Sequence, residues 1–240
     1  LATWLPETIR QRGGSQFLKK VCILQLDTKF PRIPGDVACP QTFIRDIRIV
    51  VIKKAYVNNV VRGTPENSQL IKFEKEIKKS DEELIITSCG FTYYWQDRFE
   101  KLTQSNIITS SLCSLNHKRK IFRDEEILIL TFDKKKLFQI INSNIQRPFK
   151  GHILGLGKHN HLYQAIINDE VHFCYHTVQK ELNNLLQNFL RGKDIKLIIL
   201  ECTNLSPYKE VFRTFFHGEI IDILSLVEEK LPGSINPKFL

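Results

Sequence analysis

The chain has 240 residues, which is enough for one larger domain or two small ones with a substantial core. Apolar residues make up 42% and charged residues 25%, as in an ordinary soluble globular protein. The net charge of +9 comes from basic clusters interleaved with acids, which favours solvated surfaces over a nucleic-acid interface.

Neither a membrane segment nor a metal or disulfide framework is indicated. No apolar run approaches the roughly 20 residues that cross a bilayer, and residues 1–12 lack the order of a signal peptide. Six cysteines without close spacing predict reduced thiols. The group His172, Cys174 and His176 has no second ligand pair beside it, so we expect no metal. A cytoplasmic protein without membrane partners is the resulting expectation.

Apolar, β-branched runs alternate with helical stretches along the chain, a pattern typical of α/β folds with parallel sheets. In chain order, the predicted strands are 21–26, 47–52, 84–87, 107–109, 127–132, 152–156, 197–200 and 220–222. Eight such strands fit two small sheets.

Helical periodicity predicts helices over 68–79, 92–103 and 172–191. In the first, Ile71, Phe73 and Ile77 are expected near one face of the helix. The third ends before Gly192, a suitable C-cap residue.

Domain boundaries are placed at the most polar break, 118–126. We expect a first lobe over 1–118 that carries Cys89 and a second over 119–205 that carries Cys202. A C-terminal helix-strand-helix, 206–240, is expected to pack back on the first lobe.

Two cysteine segments stand in matching positions. Thr87-Ser88-Cys89-Gly90 follows the run 84–86, and Glu201-Cys202-Thr203-Asn204 follows the run 197–200. Because ligands bind at the carboxyl ends of parallel strands, both thiols are expected at a ligand site. The dipole of a following helix would lower their pKa below the reference of about 8.5.

The other cysteines have less distinctive contexts. Cys22 lies in a strand pattern, and Cys113 and Cys174 lie in helix-like stretches, so we assign all three to packing. Cys39 precedes Pro40 in a loop, where it is interpreted as a small loop residue.

These segments, their order and the α/β alternation resemble the aspartate/glutamate racemase superfamily, which also contains hydantoin racemase, maleate isomerase and arylmalonate decarboxylase. The resemblance covers nearly the whole chain, with residues 27–36 similar to the first strand-end loop and residues 109–111 similar to the loop after the fourth strand. It implies two pseudo-symmetric α/β lobes, each a short mostly parallel sheet flanked by helices, with the active site in the cleft between them.

The resemblance implies a cofactor-independent racemase or epimerase of an aspartate- or glutamate-like amino acid, or of a related carboxylic acid. Cys89 and Cys202 would be the two acid/base residues on opposite faces of the α-carbon. No pyridoxal phosphate or metal would be needed. The oligomeric state that the resemblance suggests is a homodimer.

The carbanion that forms in such a reaction needs hydrogen-bond donors at the substrate carboxylate. The polar residues expected to supply them, through backbone or side chain, are Thr87, Ser88, Ser110, Thr203 and Asn204. Gly90 permits close backbone approach. Asp27 or Asp36 would orient a thiol or receive the substrate ammonium, and the sequence does not choose between them.

Two positions depart from the named racemases and leave the substrate open. Asn204 stands where glutamate racemases have His and aspartate racemases have Glu, and Gly90-Phe91 stands where these racemases tend to have Asn-Thr. The alternatives are a maleate-isomerase-like cis-trans isomerase with a nucleophilic cysteine and a non-catalytic protein that binds small acids.

Overall fold

Parallel strands in two sheets form the framework of the protein. The computed structural model describes residues 21–144 and 148–240, and within these ranges each sheet has four strands. The strands are β1 (Val21–Leu26), β2 (Ile47–Ile52), β3 (Leu84–Thr87), β4 (Asn106–Ile108), β5 (Ile127–Thr131), β6 (His152–Gly155), β7 (Leu197–Leu200) and β8 (Glu219–Ile221). The sequence prediction agrees with these bounds to within one residue at each end.

The two sheets repeat one topology. Their strand orders are β2-β1-β3-β4 and β6-β5-β7-β8, and all pairings are parallel. In each sheet the first strand in sequence lies between the second and the third. The loops that follow corresponding strands therefore lie at corresponding positions in the two lobes. The α/β fold with two similar lobes is thereby confirmed.

Helices connect the strands, as parallel pairing requires. The α-helices of the described ranges are α1 (Val57–Val60), α2 (Asn67–Ile77), α3 (Gln96–Glu100), α4 (Leu115–Lys118), α5 (Lys134–Asn144), α6 (His161–Ile167), α7 (Tyr175–Leu190), α8 (Lys209–Arg213) and α9 (Ile223–Lys230). Among the described residues, no helix has both the length and the apolar character to span a membrane.

Two expectations about helices need correction. Phe73 and Ile77 of α2 are fully buried, but Ile71 is 61% exposed because it points away from the face that packs on the sheet. The stretch 92–103 is not one helix: a 3₁₀ turn, Gly90–Trp95, precedes the short α3. Phe91, Tyr93 and Trp95 of that turn are buried all the same and Tyr94 is half-buried, so the aromatic pattern indicates burial rather than the type of helix.

The C-terminal segment contacts both lobes. β8 pairs with β7 and so extends the second sheet. Apolar residues of α9 instead join a cluster with first-lobe residues such as Val21 and Ile86. The boundaries at residues 118 and 205 stay a prediction.

The carboxyl ends of the two sheets face each other and are joined by side-chain-to-backbone hydrogen bonds. Thr203 Oγ1 donates to the carbonyl of Ser88 at 2.8 Å, and Ser111 Oγ donates to the carbonyl of Leu200 at 2.8 Å. Asp169, after α6, accepts from the backbone N–H of Lys29 and Phe30. These bonds bring the strand-end loops of both lobes around one enclosed space.

Candidate active site

Both cysteine segments line a single small cavity between the lobes. Its volume is about 30 Å³, and Cys89 and Cys202 are 8% and 7% exposed. Apolar side chains form most of the wall, and the lining residues are Leu26, Phe30, Arg32, Val57, Val61, Ser88, Cys89, Gly90, Phe91, Phe132, Ile166, Glu201, Cys202, Thr203 and Asn204.

The two thiols occupy equivalent places in their lobes. Cys89 follows β3 in extended conformation and precedes the 3₁₀ turn Gly90–Trp95. Cys202 follows β7 and precedes the 3₁₀ turn Thr203–Tyr208. Both sulfurs therefore lie just beyond the carboxyl end of an apolar strand, where the two sheets face each other.

The expectation that a helix dipole lowers the pKa of these thiols is wrong for this structure. Burial, together with the nearby Glu201 carboxyl, raises the pKa of Cys89 to about 12 and that of Cys202 well above its ordinary value. Backbone N–H groups of Phe91 and Thr92 lower the pKa of Cys89, but they offset only part of the burial. The turns that follow are short 3₁₀ segments rather than long helices, so their dipoles are small.

A chain of hydrogen bonds runs from Cys202 to the first lobe. The thiol donates to Asn204 Oδ1 at 3.8 Å, and Asn204 Nδ2 donates to Asp36 Oδ2 at 2.7 Å. Asp36 is 2% exposed and also accepts from the Arg32 guanidinium at 3.3 Å. Asp36 thus lies behind the cavity wall and orients two residues that line it.

Arg32 is a candidate anion-binding residue that the sequence reasoning missed. Its side chain is 10% exposed, with its guanidinium carbon 4.2 Å from the centre of the Phe30 ring. Its terminal nitrogens donate to Asp36 and Thr28, whereas the buried Nε has no hydrogen-bond partner among the described residues. A buried N–H without an acceptor is costly, so this position favours an anionic ligand.

Glu201 is the second residue that was missed. It is 1% exposed and lines the cavity beside both cysteine segments. Thr131 Oγ1 donates to Glu201 Oε2 at 2.6 Å, but Oε1 has no partner within the described part of the chain. Burial raises the pKa of this carboxyl to about 7.

The cavity brings together most, but not all, of the residues expected to bind a substrate. Ser88, Gly90, Thr203 and Asn204 line it, together with both cysteines. The Ser88 hydroxyl already accepts from the Leu26 N–H at 3.1 Å, so this side chain has a structural bond as well.

Four expected residues lie outside the cavity wall: Asp36, described above, and Thr87, Ser110 and Asp27. Thr87 Oγ1 donates to the carbonyl of Thr109, and Ser110 Oγ caps the following turn by accepting from the Leu112 N–H. Asp27 accepts from the Lys54 N–H on another part of the surface. Their side chains hold the strand-end loops rather than face the thiols.

Of the other cysteines, Cys22 is fully buried in β1, in agreement with a packing role. Cys174 is exposed at the start of α7, so its assignment to packing is wrong. Cys39 is buried in its loop and does not line the cavity.

A sequence signal existed for one of the two missed residues. Glu201 directly precedes Cys202 at the end of an entirely apolar strand, where an ionisable residue is unusual. Arg32 lies in an irregular loop between Pro31 and Pro34, and its role follows only from contacts between distant residues.

Sequence comparison relates the chain distantly to a group of lyases. It is 25% identical to dimethylsulfoniopropionate lyase 3 of Emiliania huxleyi over 90% of the chain, and 23% identical to lyase 7 over the same share. The chain spans 60% of the length of the former and 68% of the latter. No protein-family model matches the sequence.

Structure comparison relates it to racemases. An aspartate racemase homologue from Pyrococcus horikoshii superposes with a TM-score of 0.54 at 15% identity, over 88% of this chain and 99% of the other. Allantoin racemase from Pseudomonas fluorescens gives 0.54 at 10% identity, over 90% and 93%. The chain therefore shares the two-lobed α/β fold of these two structures.

Proposed function

We propose that this protein abstracts a proton from the carbon next to the carboxylate of a small substrate, with Cys89 and Cys202 as the acid/base pair and without a cofactor. The observation that carries the proposal is that both thiols line one buried cavity from equivalent strand ends of two lobes. The racemase fold supports the same chemistry.

Arg32 is the residue we assign to the substrate carboxylate. The α-hydrogen of a carboxylic acid is weakly acidic, so the negative charge that develops on the carboxylate oxygens needs a preorganised donor. The Arg32 Nε–H is buried at the cavity and has no acceptor among the described residues. Its terminal nitrogens donate to Asp36 and Thr28, so the guanidinium is held in place before the substrate enters.

The proton transfers need one thiolate and one thiol in each turnover. The thiolate on one face takes the α-proton, and the electron pair of the C–H bond becomes delocalised onto the substrate carboxylate. If the opposite thiol then donates its proton to the same carbon, the configuration inverts and the two cysteines exchange protonation states. This outcome is that of a racemase or epimerase of an amino acid or related carboxylic acid, the first candidate function.

β-Elimination is the second candidate function, and the distant relatives favour it. Their named substrate, dimethylsulfoniopropionate, carries a dimethylsulfonium group two carbons from its carboxyl carbon. After α-proton abstraction, the C–H electron pair forms a carbon–carbon double bond as the C–S pair leaves with dimethyl sulfide. The products are propenoate and dimethyl sulfide, and only one cysteine acts as a base. The apolar cavity wall suits the methyl groups of such a substrate.

One assay in deuterated water tests both candidates. The purified protein is incubated separately with single enantiomers of aspartate and glutamate, with maleate, and with dimethylsulfoniopropionate. Chiral chromatography, mass spectrometry and headspace analysis then report inversion, deuterium at the α-carbon and dimethyl sulfide. Inversion with deuterium identifies a racemase, and dimethyl sulfide identifies a lyase. Binding without any of these reactions would contradict the proposal and favour the non-catalytic alternative.

Substitution of each thiol tests the assigned residues. We expect Cys89→Ser and Cys202→Ser to lower the rate of the observed reaction about 100- to 10,000-fold, the usual contribution of a positioned acid or base. Cys174→Ser, on the exposed surface, is the matched control and should leave the rate unchanged. Full activity in both active-site variants would disprove the thiol mechanism.

A further inference from the structure

The buried carboxyl of Glu201 lacks a positively charged partner. Its Oε2 accepts from the Thr131 hydroxyl, and its Oε1 is buried without a partner among the described residues. Arg32, the cationic side chain in the same wall, is paired with Asp36. An ionised carboxylate in this position is costly unless a cation enters beside it.

The fold makes specific room for this carboxyl at the centre of the site. A Cβ atom on Gly90 would lie 2.2 Å from Glu201 Oε1 and 2.3 Å from the Glu201 carbonyl oxygen. Glu201 of the second lobe therefore lies directly against the backbone that follows Cys89 in the first lobe. It lines the same cavity as Cys89 and Cys202, and its charge raises the pKa of both thiols.

The rest of the wall around Glu201 is apolar and partly aromatic. Phe30, Phe91 and Phe132 line the cavity, together with aliphatic residues from α1 and α6. Aromatic faces attract cations, most effectively away from water, and aliphatic walls suit alkyl groups rather than the N–H bonds of an ammonium. One carboxylate oxygen within such a wall fits an alkylated cation that has no hydrogen-bond donors.

We propose that Glu201 binds the cationic group of the substrate and makes the site selective for small carboxylates that carry a dialkylsulfonium or trialkylammonium group. This inference rests on the proposed function, since it assumes that the cavity with both thiols is the substrate site. Arg32 Nε then binds the carboxylate and Glu201 Oε1 the positive charge of one dipolar molecule. The named substrate of the distant relatives belongs to this class.

The ionisation state of Glu201 gives the selectivity a pH dependence. The groups that face it are the two thiols, Arg32 and the Thr131 hydroxyl, with Asp36 behind Asn204. The raised pKa values of both thiols keep them protonated near neutral pH. Because the pKa of Glu201 is about 7, its charged form, which attracts a cation, increases between pH 6 and pH 8.

A matched pair of ligands tests this role by calorimetric titration. Dimethylsulfoniopropionate and 4-methylpentanoate have nearly the same shape, but only the first carries a positive charge. In a Cys89→Ser, Cys202→Ser double variant, which removes both proposed bases, we expect the cation to bind about tenfold more tightly at pH 8. Adding Glu201→Gln should remove this preference while 4-methylpentanoate still binds. Glu229→Gln, an exposed change on α9, is the control.

A second measurement needs no substitution at Glu201. The preference for the cation should decline as the pH falls from 8 to 6, and binding near neutral pH should release a proton to the buffer. Equal affinities for the two ligands, or a preference that survives Glu201→Gln, would overturn the role of Glu201. Deuterium exchange in the unmodified protein would still report thiol chemistry separately. Failure of both ligands to bind would overturn the inference, whereas loss of all exchange would overturn the proposed function.

Discussion

At the scale of single residues, burial controls the chemistry of the site. The Cys89 thiol and the Glu201 carboxyl are both acids in an apolar wall, and burial disfavours the charged form of each. In the free site both thiols therefore stay protonated at neutral pH, and Glu201 is only partly ionised. A bound cation would favour ionisation of Glu201, and in the proposed function Arg32 would stabilise negative charge on the substrate.

The raised pKa of Glu201 predicts a stability that depends on pH. Its pKa is about 7 in the folded protein, compared with an ordinary value near 4.3 in the unfolded chain. Between these values the folded state binds more protons, so the contribution of Glu201 to stability is present at low pH and is lost as the pH rises through 7.

Replacing this carboxyl by an uncharged isostere should abolish that loss. We expect the free energy of unfolding of Glu201→Gln, relative to the unmodified protein, to rise by about 2 to 3 kcal/mol between pH 5 and pH 8. Urea unfolding at the two pH values measures this difference. The exposed control, Glu229→Gln, should change the free energy of unfolding by the same amount at pH 5 and pH 8. If the difference in free energy of unfolding between Glu201→Gln and the unmodified protein is the same at both pH values, the Glu201 carboxyl does not have the raised pKa of an uncompensated buried acid.

At the scale of elements, a buried ion pair connects α8 with the start of α9. Lys209 Nζ lies 3.0 Å from Asp222 Oδ1, and the two side chains are 1% and 0% exposed. Asp222 also caps α9 by accepting from the Ser225 N–H at 2.9 Å. The pair fixes the direction in which the chain leaves the turn after Cys202 and returns through β8.

Removal of the cation should therefore destabilise the protein strongly. Lys209→Met leaves Asp222 charged and buried, which typically costs about 3 to 5 kcal/mol. Lys196→Met is the matched control, because Lys196 is half exposed in its pairs with Glu126 and Asp194 and should cost about 1 kcal/mol or less. Urea unfolding compares the two variants. Similar small losses in both would show that Asp222 is compensated by its capping bonds alone.

The sequence predicted the strands well but predicted the residues that line the cavity only in part. The strands were predicted because apolar runs such as Leu197–Leu200 report burial locally, through a few neighbouring residues. The positions of both thiols followed from the rule for parallel sheets. Arg32 and Glu201 could not be assigned, since each depends on side chains from the opposite lobe or from a distant loop. The bonds of the Thr87 and Ser110 hydroxyls could not be predicted for a related reason, because hydroxyls beside strand ends bind nearby backbone as readily as ligands.

At the scale of the whole molecule, the lobes meet through backbone as well as side chains. Gly90 of the first lobe lies against Glu201 of the second, and Thr203 Oγ1 bonds the carbonyl of Ser88 beside it. The cavity is therefore enclosed by the interface itself. Any group added at Gly90 must separate the lobes or displace the Glu201 carboxyl.

The substitution Gly90→Ala tests this close approach. Its methyl group would meet the carbonyl oxygen of Glu201 as well as the carboxyl, and such overpacking typically costs about 1 to 3 kcal/mol. Gly157→Ala is the control, because a Cβ there has no atom within 4 Å. Thermal unfolding of the two variants gives the comparison. A Gly90→Ala protein as stable as the control would mean that the lobes separate there without loss.

The bonds of Asp169 have a consequence for the rate at which a ligand arrives. A cavity of about 30 Å³ has room for only one or two water molecules, so its wall must move before a carboxylic acid can enter. Asp169 fastens the loop of Phe30, part of that wall, to the second lobe through two backbone N–H groups. We therefore expect association to depend on how often these bonds open rather than on diffusion alone, and ligands of different affinity to differ mainly in how slowly they depart.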